Sequence, residues 1–320
     1  MKKTIVSTFL FISAAHALEG NVLVDGSSTV FPVTEAVAEE FQKANPKVRV
    51  MVGLSGTGGG MKKFVANEID IAGASRPITD TERMNAKKSG IDFIELPIAY
   101  DGLVIVVHPS NACVSSLSTE DLKKIWQPGS AVKLWSDVRP GCPKEKINLY
   151  GPGTDSGTFD YFTEVVNGKK GAIRPDFTAS EDDNVLVQGV SKDKFAMGYF
   201  GFAYWAENQS KLKALSVGAE GKAVAPSPET ISSGAYKPLS RPIFLYVNAK
   251  KNREEVKGFV QYYLENAAKL ARQVGYVPFV AKTYEAVKAR FTKNMTGTTF
   301  GSDLAKKTHN VDQLVAANGI

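Results

Sequence analysis

The chain has 320 residues, 43% of them hydrophobic and 22% charged, enough for two domains that each bury a core. A mean hydropathy of -0.14 fits neither a disordered chain nor an integral membrane protein. The net charge of +6 is too small to argue for a nucleic-acid partner, and 2 Cys with 3 His leave little material for a zinc site.

Met1-Lys2-Lys3, an uncharged and mostly apolar run from Thr4 to Ala15, and Ala15-His16-Ala17 form the pattern of a signal peptide over residues 1–17. The mature chain then starts at Leu18 and is exported, with the periplasm as its expected compartment. The competing reading, a transmembrane anchor, needs roughly 20 apolar residues, and the run is shorter. No cysteine stands near the cleavage site to carry a lipid. In an oxidising compartment Cys113 and Cys142 are expected to form a disulfide, contributing about 3.5 kcal/mol by loop entropy. A reactive thiol pair is the alternative, but the chain has no C-x-x-C.

Strand-like and helix-like stretches alternate from there. Val22-Leu23-Val24 is a strand ending at the turn residues Asp25-Gly26. From Pro32 the pattern turns helical, with Val33, Val37 and Phe41 on one face. A strand over 48–52, a Gly-rich turn from Ser55 to Gly60, a helix over 61–67 and a strand over 69–72 follow. Thr79 with Glu82 and Ser118 with Asp121 predict capping boxes. The continuous run Leu103 to Val107 reads as a strand buried on both faces. Val256, Phe259, Val260, Tyr263, Leu264 and Ala267 share one face of a long C-terminal helix. This alternation implies an α/β fold with mainly parallel sheets. With no linker between halves, two interleaved lobes are expected, the chain crossing near Val107 and Ile243: residues 18–107 with 243–320 form one lobe and 108–242 the other. The tail after Asn294 reads as a partly irregular cover.

Three stretches place small hydroxyl residues or glycines directly before a helix: Asp25 to Pro32, Ser55 to Gly60 and Gly151 to Thr158. A helix N-terminus carries unpaired N–H groups and about half a positive charge, so three converging ends would suit a buried oxyanion. Each alone is explained by an ordinary N-cap. Rival motifs fail on order: Gly56 to Gly60 followed by Met61-Lys62 is no P-loop, and Ser156 lacks the G-x-S-x-G elbow. His108 and His309, the histidines beyond the leader, fit structural or polar surroundings better than general-base work. A secreted hydrolase using Ser156 or Thr158 as nucleophile therefore lacks a base and metal ligands. Arg76, at a strand's carboxyl end, is able to grip an oxyanion, with Asp101 orienting it or accepting a ligand proton. A surface ion pair is the competing account.

In this order the motifs resemble the periplasmic phosphate-binding proteins of high-affinity phosphate ABC transporters, over nearly the whole mature length. The stretches are Gly26-Ser27-Ser28-Thr29-Val30-Phe31-Pro32, Ser55 to Gly60, Gly73-Ala74-Ser75-Arg76-Pro77, Ala99-Tyr100-Asp101-Gly102-Leu103 and Asp155-Ser156-Gly157-Thr158-Phe159. Asp182-Asp183-Asn184 and Met197-Gly198-Tyr199-Phe200-Gly201 add later landmarks. The resemblance implies a two-lobed type II binding protein that closes on one phosphate, needs no cofactor, works as a monomer and meets a membrane permease. It implies ligand donors at Ser28, Thr29, Val30, Ser55, Thr57, Gly58, Ser75, Ser156, Gly157 and Thr158. Family members carry Asp where this chain has Arg76, and Arg where it has Pro152. The expectation is an exchange, with Arg76 as the cation and Asp101 as the acceptor. A secreted phosphate scavenger with the same site is the remaining alternative.

Overall fold

The structure, a computed structural model, describes residues 18–218, 221–251, 253–300 and the single positions 311, 312 and 315. The expected leader and most of the tail lie outside the described residues. The first third of the chain runs β1 (Gly20–Gly26), α1 (Phe31–Ala44), β2 (Val48–Val52), α2 (Gly56–Val65), β3 (Ile71–Ala74), α3 (Asp80–Lys88) and β4 (Phe93–Val107). There follow β5 (Ser116–Leu117), α4 (Thr119–Trp126), α5 (Trp135–Val138), β6 (Asn148–Pro152), α6 (Gly157–Asn167), β7 (Thr178–Ser180), α7 (Asp183–Lys192) and β8 (Ala196–Gly201). The remainder is α8 (Phe202–Glu207), β9 (Lys213–Ala214), β10 (Ser216–Val217), α9 (Pro228–Ser232), β11 (Ser240–Asn248), α10 (Glu254–Gln273) and α11 (Ala281–Thr292).

One curled sheet organises these elements, in the order β2-β1-β3-β11-β4-β8-β6-β7, with β9 also on β4. Its two flanks are parallel, as strand–helix alternation requires: β2-β1-β3 on one side and β8-β6-β7 on the other. Its centre is antiparallel, because β4 carries the chain out of the first half and β11 brings it back. β4 changes partners midway: Phe93 to Gly102 pair with β11, and Leu103 to Val107 with β8. Within the sheet, the change of partner falls at Gly102/Leu103 of β4, and β11 begins opposite it at Ser240.

Two elements differ from the sequence reading. β4 begins at Phe93 rather than Leu103, and all 15 of its residues are buried. Glu95, Pro97 and Asp101 break its apolar run in sequence, but each has partners supplied from distant parts of the chain. Glu95 accepts hydrogen bonds from Tyr246 Oη (2.8 Å), Thr298 Oγ1 (2.7 Å) and the Thr299 amide (2.7 Å). The second is the Gly-rich stretch, which is not a turn before a helix: α2 starts at Gly56. A Cβ on Gly60 would stand 2.9 Å from the Asp25 carbonyl oxygen, so the glycines let this helix lie directly on the end of β1.

Other features follow the expected pattern. α1 and α10 pack through Phe41, whose ring meets Phe259 at 5.4 Å and Tyr262 at 5.5 Å. Both capping boxes form, Thr79 with Glu82 and Ser118 with Asp121. Cys113 and Cys142 are bonded, with their Cα atoms 5.3 Å apart.

Candidate functional site

Strand ends from both halves of the sheet meet at one place. β1 delivers Ser27-Ser28-Thr29 at the start of α1, β3 delivers Ser75, and β6 leads to Ser156-Gly157-Thr158 at the start of α6. Ser28, Thr29, Thr57, Ser75, Ser156 and Thr158 are all buried. Thr29 Oγ1 lies 2.9 Å from Thr158 Oγ1 across the two halves, and Thr57 Oγ1 lies 3.2 Å from Ser75 Oγ. A Cβ on Gly157 would run into both Ser75 Oγ and Thr57 Oγ1. Gly157 of the second half therefore rests directly on the hydroxyl pair of the first.

The turns have internal reasons to hold their shape. Ser27 Oγ accepts from the Thr29 amide (3.2 Å) and Ser156 Oγ from the Thr158 amide (3.1 Å), the same device at two helix starts. Tyr204 donates to the Ser28 carbonyl at 3.2 Å, and Tyr276 donates to the Thr29 carbonyl. Ser28 Oγ is buried without a partner among the described residues. An orphaned hydroxyl of this kind is free to bond a further group.

The arginine that stands among these hydroxyls is Arg241, which the sequence reading did not name. It is 2% exposed and sits at the start of β11, opposite Asp101 in the strand register. Arg241 Nε and Nη2 each lie 3.2 Å from Asp101 Oδ2. Nη2 also donates to Thr158 Oγ1 (2.6 Å) and Thr29 Oγ1 (3.3 Å), and Nη1 donates to the Gly157 carbonyl (3.0 Å). The guanidinium lies over the Tyr161 ring, 5.3 Å from its centroid. One side chain thus ties Asp101 to hydroxyls of both halves. Its signal was present in sequence: Ser240-Arg241-Pro242 repeats the tripeptide Ser75-Arg76-Pro77.

Arg76 stands differently from the expectation. Its fork is bidentate to Glu82, both contacts at 2.8 Å, and its Nε donates to Asp160 Oδ2 at 3.0 Å. With four of its five N–H groups engaged by carboxylates and by the Pro77 carbonyl, Arg76 is not the partner of Asp101. Three other expected donors are also engaged elsewhere. Ser55 Oγ donates to Asp25 Oδ1 at 2.6 Å, the Val30 amide to the Ser27 carbonyl at 3.0 Å, and the Gly58 amide to the Asp155 carbonyl at 2.9 Å. Ser55 is turned away because Asp25 is buried and needs donors; it also takes the Ser55 amide and Lys63. Gly58 instead helps to join the two halves.

Burial pushes the Asp101 carboxyl up to about 6, against the pull of Arg241. It is therefore mainly a carboxylate at neutral pH and becomes a neutral acid a little below. Asp183, first residue of α7, is buried with neither carboxyl oxygen hydrogen-bonded among the described residues. Burial pushes it up to about 8, and the charge of Asp101 adds to the shift. His108 bonds to Ser110 at the far end of β4, away from the cluster.

A curled sheet with a closed polar seam between its halves defines a two-lobed solute-binding protein. A family profile described as "PBP superfamily domain" matches residues 13–267. The chain is 50% identical to the protein SphX of Synechococcus elongatus, over 99% of this chain and 94% of that one. It is 42% identical to the phosphate-binding protein PstS of Staphylococcus saprophyticus, over 83% of this chain and 82% of the other. Among solved structures it is similar to a putative phosphate ABC transporter substrate-binding protein of Clostridium perfringens with bound phosphate. That likeness has a TM-score of 0.71 at 26% identity and covers 82% of this chain and 100% of the other. The chain belongs to the PstS family of phosphate-binding proteins, within the PBP superfamily.

Proposed function

We propose that this protein binds inorganic phosphate between its two lobes and delivers it to the membrane permease of a phosphate ABC transporter. The observation that carries this reading is the buried cluster of six hydroxyl side chains closed around the Arg241–Asp101 pair. The charges of the pair offset each other, so the anion is held by oriented donors and helix ends rather than by net positive charge. Ser28, Thr29, Ser75, Ser156 and Thr158 donate, Thr57 supports Ser75, the Gly157 amide completes the turn, and Arg241 supplies the charged donor. Asp101 accepts the proton that phosphate retains near neutral pH. Sulfate carries no such proton and meets an uncompensated carboxylate, a penalty of several kcal/mol in a buried site.

Capture is stoichiometric and without turnover, and the protein acts as a monomer after export to the periplasm and cleavage behind Ala17. The strand β4, which changes partner from β11 to β8 at Gly102/Leu103, and the segment entering β11 serve as the hinge. The relatives named for phosphate support the ligand. Calorimetric titration of the mature protein, freed of ligand by partial unfolding, tests the reading. Tight one-to-one phosphate binding with sulfate inert is expected. Equal binding of the two anions, or release of a reaction product from a phosphate ester, would overturn it.

A further inference from the structure

Arg76 occupies a position where a charged group would be expected to face the ligand, yet its guanidinium is directed elsewhere. It belongs to a chain of alternating charges that crosses the seam. Glu82 on α3 holds the fork from the first half of the sheet, Asp160 on α6 meets its Nε from the second half at 3.0 Å, and Lys170 Nζ lies 2.9 Å from the same Asp160 oxygen. Arg76 and Asp160 are 9% and 8% exposed, so the contact is largely shielded from water. Its strength is not screened as an exposed pair would be. Lys62–Asp155, which joins the halves on the outside, is longer at 3.4 Å and mostly exposed.

We propose that the Arg76–Asp160 pair is a latch between the lobes, which sets how long the closed protein retains its anion. The proposal rests on the receptor reading above. The fork is preorganised: Glu82 is fixed by its own capping box, accepting the Thr79 amide at 2.8 Å while it holds Arg76. Arg76 therefore waits in place when the lobes are apart, and little freedom is lost when Asp160 arrives. Each side also keeps its own counter-ion. On opening, Arg76 retains Glu82 and Asp160 retains Lys170, so no charge is stranded and the latch is reversible. A link of this kind acts on release more than on capture, because truncating one member of a shielded pair raises the dissociation rate. Asp160 also lies one turn into α6, whose first residues Gly157 and Thr158 line the site. Pulling Asp160 toward Arg76 seats that helix end against Ser75 and Thr57.

Two measurements on the mature protein test the latch. In stopped-flow release of phosphate, Asp160→Asn and Arg76→Gln should each speed dissociation about 10-fold with association unchanged. The double variant should be no faster than either single one, and Asp160→Glu should recover part of the loss. Unchanged release in Asp160→Asn, or additive effects in the double variant, would overturn the proposal. The second measurement needs no ligand. Spin labels at the exposed positions Met84 on α3 and Val185 on α7 report the separation of the lobes. Asp160→Asn should shift the label distances of the ligand-free protein toward longer values, whereas an unchanged distribution would reject the latch. Failure of the wild type to bind phosphate would reject the receptor reading instead, and the label distances would still decide the latch.

Discussion

The two Ser-Arg-Pro tripeptides of this chain put the same residue type into opposite work. Arg76 follows the short parallel strand β3 at the edge of the seam, where Glu82 and Asp160 are within reach of its fork. Arg241 opens β11 in the middle of the sheet, where one carboxylate and two threonine hydroxyls meet it. Two flanking acids make the first arginine a structural tie. A single acid shared with neutral hydroxyls leaves the second able to serve an anion. What differs is the count of carboxylates around each guanidinium: Glu82 is local to Arg76, whereas Asp160 and Asp101 come from far away in sequence.

The comparison breaks first at the arginines themselves. Arg241→Gln should abolish measurable phosphate binding, a loss of at least about 10³-fold, because it removes the charged donor and leaves Asp101 buried and unpaired. Arg76→Gln should retain binding within about 10-fold. Equal losses in calorimetry would erase the distinction.

Asp101→Asn comes next. It should weaken phosphate by about 10²-fold while strengthening sulfate, since only phosphate has a proton to give to the carboxylate and sulfate loses a repulsion. The same carboxyl sets a pH dependence. Its position near 6, above the usual 3.8, means that it takes up a proton as pH falls through about 6 and ceases to accept one from the ligand. Affinity for phosphate should therefore decline below pH 6 in the wild type, with a shallower decline in Asp101→Asn.

Gly157→Ala should weaken phosphate by about 10-fold. A methyl group there meets the Ser75 and Thr57 hydroxyls and holds the halves slightly apart, which reduces the population able to bind. Titration of this variant beside Gly58→Ala, whose Cβ would meet nothing nearer than 3.5 Å, separates closure from mere crowding.

The smallest effect on binding is expected at Asp183, which is buried with no hydrogen-bond partner among the described residues. Its carboxyl is raised from 3.8 to about 8, so the folded protein keeps a proton that the unfolded chain gives up. Stability is therefore lost as pH rises from about 4 toward 8, and Asp183→Asn should remove that slope and stabilise the protein by about 2 kcal/mol at pH 7. Urea denaturation across that range gives the slope directly. A destabilised variant with the slope intact would show that Asp183 is ionised and partnered.

Much of the candidate site was legible because its parts are local. Ser27, Ser28 and Thr29, and likewise Ser156 to Thr158, announce themselves as hydroxyl turns before helices, since the turn and the cap are made by neighbours in sequence. Arg241 was not legible in that way. Its role depends on the register of β11 against β4, which sets it opposite Asp101 across 140 residues of chain. The first half of β4 was hidden for the same reason: Glu95 reads as a strand breaker until hydroxyls and amides from the C-terminal segment surround it. The glycines from Gly56 to Gly60 read as a turn by intrinsic preference, and packing against β1 makes them a helix. Register and packing are non-local, so the local reading named Arg76 where the register places Arg241 beside Asp101.

A crystal structure of the protein with phosphate bound would test the central claim most directly. The account predicts a phosphate oxygen within hydrogen-bond distance of the Arg241 guanidinium and another facing Asp101, with Arg76 still held by Glu82 and Asp160. A phosphate gripped by Arg76, with Glu82 or Asp160 released, would contradict it.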